Sequence, residues 1–548
     1  MGFVKQSLVD GTRVPADRSK DHLWIVGGGI AGMAAAAFAI RDARVPANQV
    51  HILEMLGIEG GSLDGGRTPN NKRAWVTRGA RMLTDELNQC TWDLCDSIPS
   101  LEDPSISVLQ ETREFNKKWP IHARARLIGD QHKIIDSSKF GFDLSSRVAM
   151  TRLLATSESS LGARRIEDMY DEDFFKTNFW NMWRTTFAFQ KWHSAAELRR
   201  YYVRLVQEFS RINTLGGTRH TKYNQYDSMI VPLQRWLLAQ GVDVRFGVKV
   251  LDADFENASG ANPGPRRATQ LYVQTRKGKD VIKLGANDYV VFTLGSITAD
   301  TTYGGNDTVP ELIRDRRDGS WTLWENLALK AKDFGNPIAF CGNVDEHKWE
   351  SFTLTCRSSL LLDRMAEYTG NEIGSGGLVT WVNSGWHLSI DTAHQPHFPD
   401  LPQGWTTTWA YGFEIDGIGD YVKKKMSEAT GTEILTELIH QMGFEDIKDE
   451  VLATTEVTTV MMPYASALFA CRTPGDRPKV VPNRAANFGF LGQFVEMPED
   501  IVFTVEYSVH TGMEAVYNLF GVERQIPPIY HGLLDPKVGK QAVECMFR

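Results

Sequence analysis

Three glycines in the pattern Gly27-x-Gly29-x-x-Gly32 separate the apolar segment Leu23-Trp24-Ile25-Val26 from an alanine-rich stretch, and Glu54 follows 22 residues after Gly32. Glycines so spaced suit the cradling of a dinucleotide pyrophosphate. The first permits a tight turn, the second lets the backbone approach the phosphates, and the third lets a helix pack closely on a strand. The helix N-terminus offers free N–H groups and the positive end of its dipole. A carboxylate at Glu54, ending the next strand, can accept hydrogen bonds from a ribose diol. The alternative is a glycine turn with no ligand. A second concentration runs from Phe174 to Trp192, with eight aromatic residues in 19 positions. These are enough to line an apolar channel, although each ring taken singly suits ordinary core packing better.

The elements that must position these groups follow from periodicity and turn residues. Leu23 to Glu54 reads as strand, glycine turn, helix and strand. Ser194 to Ile212 reads as one long helix opened by Ser194-x-x-Glu197, a capping box. Ser228 to Gln240 is helical in pattern, and Gly241 to Val250 alternates like a strand. Tyr289 to Thr293 is an apolar strand ending at Leu294-Gly295-Ser296, and Phe488 to Gly492 is another, followed by a helix, Ile501 to Phe520. Ala258 to Arg267 and Asp300 to Asp307 read as exposed loops, and Gln525 to Arg548 as a cap or arm ending in a helix. No second glycine fingerprint lies between a strand and a helix; Gly374-Ser375-Gly376-Gly377 lacks that setting, so a dedicated NAD(P)H domain is not expected. Glu59-Gly60-Gly61-Ser62 and the late Phe490-Leu491-Gly492 element fit an FAD-type layout.

The expected fold is therefore α/β. A Rossmann-like FAD-binding domain is assembled from discontinuous segments (20–100, 220–300 and 455–523). An α+β substrate domain (101–219 and 301–454) is inserted in it, and a helical C-terminal arm (524–548) follows.

The chain has 548 residues and a formal net charge of −8, with 23% charged residues. That balance gives no support for nucleic-acid binding, which needs a basic surplus. Leu23 to Ile40 carries no charge over 18 positions, near the length of a membrane span. Four glycines in that run, Asp21-His22 before it and Arg41-Asp42 after it, argue against a membrane helix or a secretory signal. The six cysteines form no C-x-x-C pair and read as reduced thiols of a cytoplasmic protein, and no metal site is expected. Neither end carries a lipidation motif of the usual kind.

Several longer strings converge. They are Gly60-Gly61-Ser62-Leu63-Asp64-Gly65, Ser97-Ile98-Pro99-Ser100-Leu101-Glu102, Asn178-Phe179-Trp180, Trp192-His193-Ser194-Ala195 and Thr221-Lys222-Tyr223-Asn224-Gln225-Tyr226. Later come Gly295-Ser296-Ile297-Thr298, Gly319-Ser320-Trp321-Thr322-Leu323-Trp324 and Gly475-Asp476-Arg477-Pro478-Lys479-Val480-Val481-Pro482. In this order, from about Leu23 to about Phe520, the chain resembles the FAD-dependent oleate hydratases, fatty acid hydratases formerly called myosin-cross-reactive antigens. The resemblance implies addition of water across the cis double bond of a free long-chain fatty acid, oleate to 10-hydroxystearate, with no net redox change.

It also implies roles. Tyr201 is the proton donor to the alkene; its ordinary pKa of about 10 keeps it protonated. Asn224 and Gln225 orient water, and His397, Tyr226 and Trp192 contact substrate. Gly27, Gly29, Gly32, Glu54, Gly61, Ser62, Arg81, Val250, Ser296, Asp500 and Thr504 hold FAD.

Two departures stand out. The family's water-activating glutamate follows Arg-Gly-Gly-Arg, where this chain reads Arg78-Gly79-Ala80-Arg81-Met82-Leu83-Thr84-Asp85-Glu86. A thioether at Met82 cannot serve as a base. If the segment is helical, Glu86 lies on the face of Met82, and the expected substitute is Glu86, Asp85 or an ordered water network; otherwise the reaction is slow. The family's carboxylate-binding pattern Thr-x-Asn-x-x-x-His falls on Asp391, Ala393 and His397; an aspartate repels a fatty-acid carboxylate unless one of the two is protonated.

Other readings are a flavin-dependent lipid oxidoreductase or isomerase, and a lipid- and flavin-binding protein with little catalysis. Expected partners are the fatty acid and, by resemblance, a second copy in a homodimer or none. Peripheral membrane contact through the C-terminal arm is a further expectation.

Overall fold

The computed structural model describes residues 8–9, 12–13, 17–68, 71–257 and 264–547. Its first layer is a five-stranded parallel sheet in the order Asp243–Phe246, Val50–Glu54, His22–Val26, Asp288–Thr293, Phe488–Leu491. The inner strands are mainly apolar and buried, whereas the edge strand Asp243–Phe246 is half-buried to exposed. Helix Ile30–Arg41 packs between this sheet and helix Val505–Phe520. Its alanines allow a very close approach. A Cβ on Gly512 would come within 2.8 Å of the Ala31 carbonyl, and one on Gly32 within 2.2 Å of the Gly27 carbonyl. Gly32 thus has the packing role expected of the third glycine.

A three-stranded antiparallel sheet follows, Lys249–Glu256, Arg267–Thr275 and Gly278–Lys283. The second large layer is a seven-stranded, mostly antiparallel sheet. Its inner strand Trp349–Cys356 is buried at every residue between Thr455–Met462 and Thr406–Gly412. Helices Leu360–Thr369 and Gly431–Met442 contribute to a buried cluster on this sheet, distinct from the larger cluster around the parallel sheet. The nucleotide-type sheet therefore draws its strands from both ends and the middle of the chain.

Local readings needed correction in several places. The expected helix Ser194–Ile212 is helical over Ala195–Arg204, breaks at Leu205 and continues as a 3-10 turn, Val206–Arg211. Ser194 caps the Glu197 N–H, but the Glu197 carboxylate turns to Arg472 and Arg477 rather than closing a capping box. Gly241 to Val250 is two strands in two sheets, not one, divided by Gly247 at φ 68°. A π-turn, Tyr226–Ile230, precedes helix Val231–Gln240.

Residues 258–263 of the expected loop lie outside the described residues, and Arg267 already opens a strand. Within Asp300 to Asp307, Thr302–Tyr303 pairs with Val460 and Met461. The aromatic run Phe174 to Trp192 is mostly core: Phe179 stacks on Trp183, and Phe174, Trp180 and Phe189 are fully buried. Among the described residues no helix is long and apolar enough to cross a membrane.

Candidate active site

The glycine turn opens into a cleft of about 1080 Å³ at the C-terminal edge of the parallel sheet. Gly27, Gly29, Glu54, Gly61, Ser62, Val250 and Ser296 line it together, from four separate stretches of chain. Gly27 holds φ at 102°, a left-handed conformation that favours glycine. The Gly28 and Leu56 N–H groups both donate to the Glu54 carboxylate, at 2.7 Å each. Burial raises the Glu54 carboxyl above its ordinary range, against the pull of those donors.

The residues present fit a dinucleotide. The helix N-terminus at Ile30 faces the cleft, and Thr293 Oγ1 stands buried in its wall with no hydrogen-bond partner. Arg78 adds a buried guanidinium, paired with Asp64 at 2.5 Å and donating to the Gly61 carbonyl at 2.8 Å. Motif reading missed Thr293 and Arg78. The strand-end position of Thr293, beside Gly295-Ser296, was the one available signal.

A narrow space of about 260 Å³ links this cleft to two further chambers. It shares Ser62, Ile297 and Gln493 with the cleft and Arg81, Phe503 and Thr504 with the inner chamber. The inner chamber, about 700 Å³, is walled by Met82, Leu87, Phe187, Leu205, Ile212, Leu215 and Phe503, with Tyr201 and Glu208 among its polar groups. The outer chamber, about 920 Å³, holds Gln225, Asp391, Ala393, His394 and His397 beside Ile121, Trp349 and Trp409. Both chambers share Ala80, Arg81, Met82 and Phe503, so the Ala80-to-Met82 segment forms their junction. Arg81 makes no ion pair among the described residues. It donates to the Ser62 carbonyl at 3.0 Å and lies over the Phe503 ring, and burial, with Arg78 nearby, brings its pKa down to about 10.

Tyr201 reaches the inner chamber from helix Ala195–Arg204, and its hydroxyl donates to the Val502 carbonyl at 2.6 Å. Burial, reinforced by the charges of Glu197 and Asp500, pushes its pKa well above 10. In the outer chamber burial pushes the Asp391 carboxyl up to about 7 and pulls the His397 imidazole down to about 4, with His220 and His394 adding to the latter shift. His397 is thus neutral at pH 7, and the Asp391 carboxyl titrates near neutral pH.

Other expected site residues stand elsewhere. Segment 82–86 is not helical: Leu83–Thr84 is a short strand paired with Thr218–Arg219. Glu86 consequently lines neither chamber and pairs with Arg211 at 2.9 Å, while exposed Asp85 pairs with Arg219 at 2.7 Å. Asn224 is spent on structure, its amide donating to Asp227 at 2.6 Å and to the His397 carbonyl at 3.1 Å, which ties down the His397 loop.

Tyr226 lines none of these cavities; burial, with Glu59, Asp227 and Asp64 nearby, raises its pKa to about 12. Trp192 faces a separate, polar cavity and donates to the Glu346 carbonyl. Asp500 is buried against His510 at 3.0 Å and lines neither the cleft nor the linking space. Arg81 and Thr504 face the linking space rather than the cleft itself.

The sequence pattern of the MCRA family matches residues 20–517. The chain is similar to an oleate hydratase of Streptococcus pyogenes serotype M49 (strain NZ131), with 37% identity over 534 residues, 95% of this chain and 89% of that protein. It is also similar to a linoleate hydratase of Lactiplantibacillus plantarum, 32% identical over 570 residues, 96% of this chain and 99% of that one. A solved structure of an oxidoreductase from Methanosarcina mazei superposes with a TM-score of 0.49 at 13% identity, covering 90% of this chain and 100% of its own.

Proposed function

This chain belongs to the MCRA family, and we propose that it adds water across the cis double bond of a free long-chain unsaturated fatty acid, converting oleate to 10-hydroxystearate. It is a hydro-lyase whose dinucleotide is FAD, held by the Gly27 turn, Glu54, Gly61, Ser62, Val250 and Ser296. Addition of water changes no oxidation level, so FAD supplies shape and an electrostatic field to the neighbouring chamber.

One observation carries this reading: a two-chambered, largely apolar cavity with Tyr201 at its inner end, joined to the dinucleotide cleft through Arg81 and Thr504. The apolar walls exclude bulk water from the alkyl chain. The fatty-acid carboxylate sits in the outer chamber near His394 and His397. Gln225 lines that chamber as well, donating to the Arg81 carbonyl at 3.4 Å, and is the amide placed to hold water near the junction. The Tyr201 hydroxyl donates its proton to one alkene carbon while water adds to the other. Incubation of oleate with the FAD-loaded protein in oxygen-18-labelled water yields 10-hydroxystearate carrying the label. Product that requires oxygen, or tight binding without product, sinks the hydratase reading in favour of redox chemistry or carriage.

Asp391 makes substrate binding pH-dependent. Below about pH 7 its carboxyl is protonated and can donate to the substrate carboxylate; above it, two like charges meet. KM for oleate therefore rises on going above about pH 7, by up to about tenfold per pH unit, with little change in kcat. Asp391→Asn removes the rise, and an equal rise in that variant would place the carboxylate elsewhere.

Peripheral membrane contact belongs, in this reading, to exposed Leu144, Val148 and Phe547, grouped around Arg147, whose guanidinium lies 4.4 Å from the Phe547 ring centre. Co-sedimentation with anionic vesicles falls in Phe547→Ser, and unchanged binding removes this surface.

A further inference from the structure

Hydration needs a group to take a proton from the attacking water, and Met82 cannot do so. The expected substitutes, Glu86 and Asp85, stand outside both chambers in ion pairs of their own. Glu208 is the one carboxylate among the residues that line the inner chamber with Tyr201 and Met82. Resting on the hydratase reading, we infer that Glu208 activates the water in this chain, a catalytic base supplied from the far wall of the chamber where the local motif supplies none.

The placement follows from the backbone. Helix Ala195–Arg204 breaks at Leu205, and the 3-10 turn Val206–Arg211 carries Glu208 to the chamber seven residues after Tyr201. Tyr201 and Glu208 thus lie on either side of the break, and both line the same chamber.

The carboxylate is also held. Arg211 donates from Nε at 3.0 Å to one oxygen and from its terminal nitrogen at 2.6 Å to the other, leaving each oxygen a second lone pair for water. Arg211 divides its charge between Glu208 and Glu86, and Arg219, the next guanidinium, is paired with Asp85. Gly217 packs bare backbone on the pair: a Cβ there would lie 2.2 Å from both Arg211 Nε and a Glu208 oxygen. Behind the turn, Gly532 of the C-terminal arm lies against Val206 and Gln207. Burial outweighs Arg211 and raises the Glu208 carboxyl above its ordinary range, toward a working base.

The step balances without an oxidant. The alkene π bond breaks, a C–H bond forms with the Tyr201 hydroxyl proton, and a C–O bond forms with the water oxygen. The second water proton passes to the Glu208 carboxylate and then returns by way of solvent to the Tyr201 phenolate.

In the FAD-loaded full chain, Glu208→Gln lowers kcat for oleate about 100-fold, with KM and bound FAD unchanged. The wild-type fall in kcat at acid pH, where the base is protonated, is absent from that variant. Adding Met82→Glu to Glu208→Gln restores kcat at least about tenfold, because a carboxylate again faces the junction. Glu208→Asp, which keeps the charge beside Arg211, serves if the amide variant fails to fold; its kcat falls about tenfold. A kcat within about twofold of wild type in either variant overturns the assignment, as does a lowered kcat with the acid limb intact and no rescue. Wild-type protein that does not hydrate oleate overturns instead the reading beneath it.

Discussion

Tyr201→Phe lowers kcat for oleate hydration by about 1,000-fold, with KM changed by less than about threefold. A positioned general acid contributes about 10²–10⁴-fold, and no other phenol or carboxylic acid except Glu208 faces the inner chamber to replace it. The change deletes one oxygen and leaves the ring between Phe187, Phe189 and Phe469 in place. It also leaves the Val502 carbonyl without its donor, at a cost of about 1–3 kcal/mol, so the protein is somewhat less stable yet folded.

Because burial holds the Tyr201 pKa well above 10, the wild-type enzyme shows no loss of activity from tyrosine ionisation at ordinary alkaline pH. Tyr202→Phe is the internal control. That neighbour packs against Phe179, Trp183 and Phe209, lines neither chamber, and its loss leaves kcat near wild type. Comparable turnover in Tyr201→Phe and wild type would remove Tyr201 from the reaction.

Glu197→Gln destabilises the protein by about 3–5 kcal/mol, read as a shifted denaturant midpoint. Glu197 is fully buried one helical turn before Tyr201 and pairs with Arg472 and Arg477, both at 2.9 Å. Arg472 and Arg200 reach on to Glu496, so the amide leaves a buried cluster of three guanidiniums short of one carboxylate. Breaking one member of a buried ion pair costs far more than the pair contributes, because the remaining charges stay desolvated.

Burial alone would raise the Glu197 carboxyl, but Arg477, Arg472 and Arg200 outweigh it and hold the pKa at about 2, from an ordinary value of 4.5. A depressed pKa means stability present above about 4.5 and lost as pH falls toward about 2. The gap between wild type and Glu197→Gln therefore narrows over that acid window. An equal midpoint for the two proteins at neutral pH would show that the ion cluster does not hold this helix.

The contrast between Gly27 and Glu208 shows how much of the site was legible beforehand. The nucleotide turn is a local structure: strand, glycines, helix and Glu54 fall within 33 residues, from His22 to Glu54, with Gly27 at a positive φ and Gly32 pressed on the Gly27 carbonyl inside that span. Asp500 had no such local test. It is buried behind the inner wall, paired with His510 and close to Arg204. Phe174 to Trp192 fooled composition for a related reason, since an aromatic-rich stretch looks the same lining a channel or filling a core. Of its eight rings Phe187 alone faces the inner chamber, while Trp192 opens on a separate cavity.

Glu208-x-x-Arg211 reads in sequence like any exposed ion pair one turn apart, and nothing local marks the break at Leu205 that keeps it on the chamber wall.

The chain's residue order by itself determined the α/β class, the dinucleotide turn and the family, because these rest on short-range backbone constraints and on long strings kept in one order. The loss of a base at Met82 was equally plain from side-chain chemistry. What stands opposite Met82 was decided only by tertiary structure. Residues 80–82, 201–208 and 503–505 converge on one chamber through strand pairing at Leu83–Thr84, a helix break at Leu205 and a sheet built from distant segments. Which side chains then share a desolvated space depends on contacts hundreds of residues apart, and burial in that space raises the pKa of Asp391, Tyr201 and Glu208 alike.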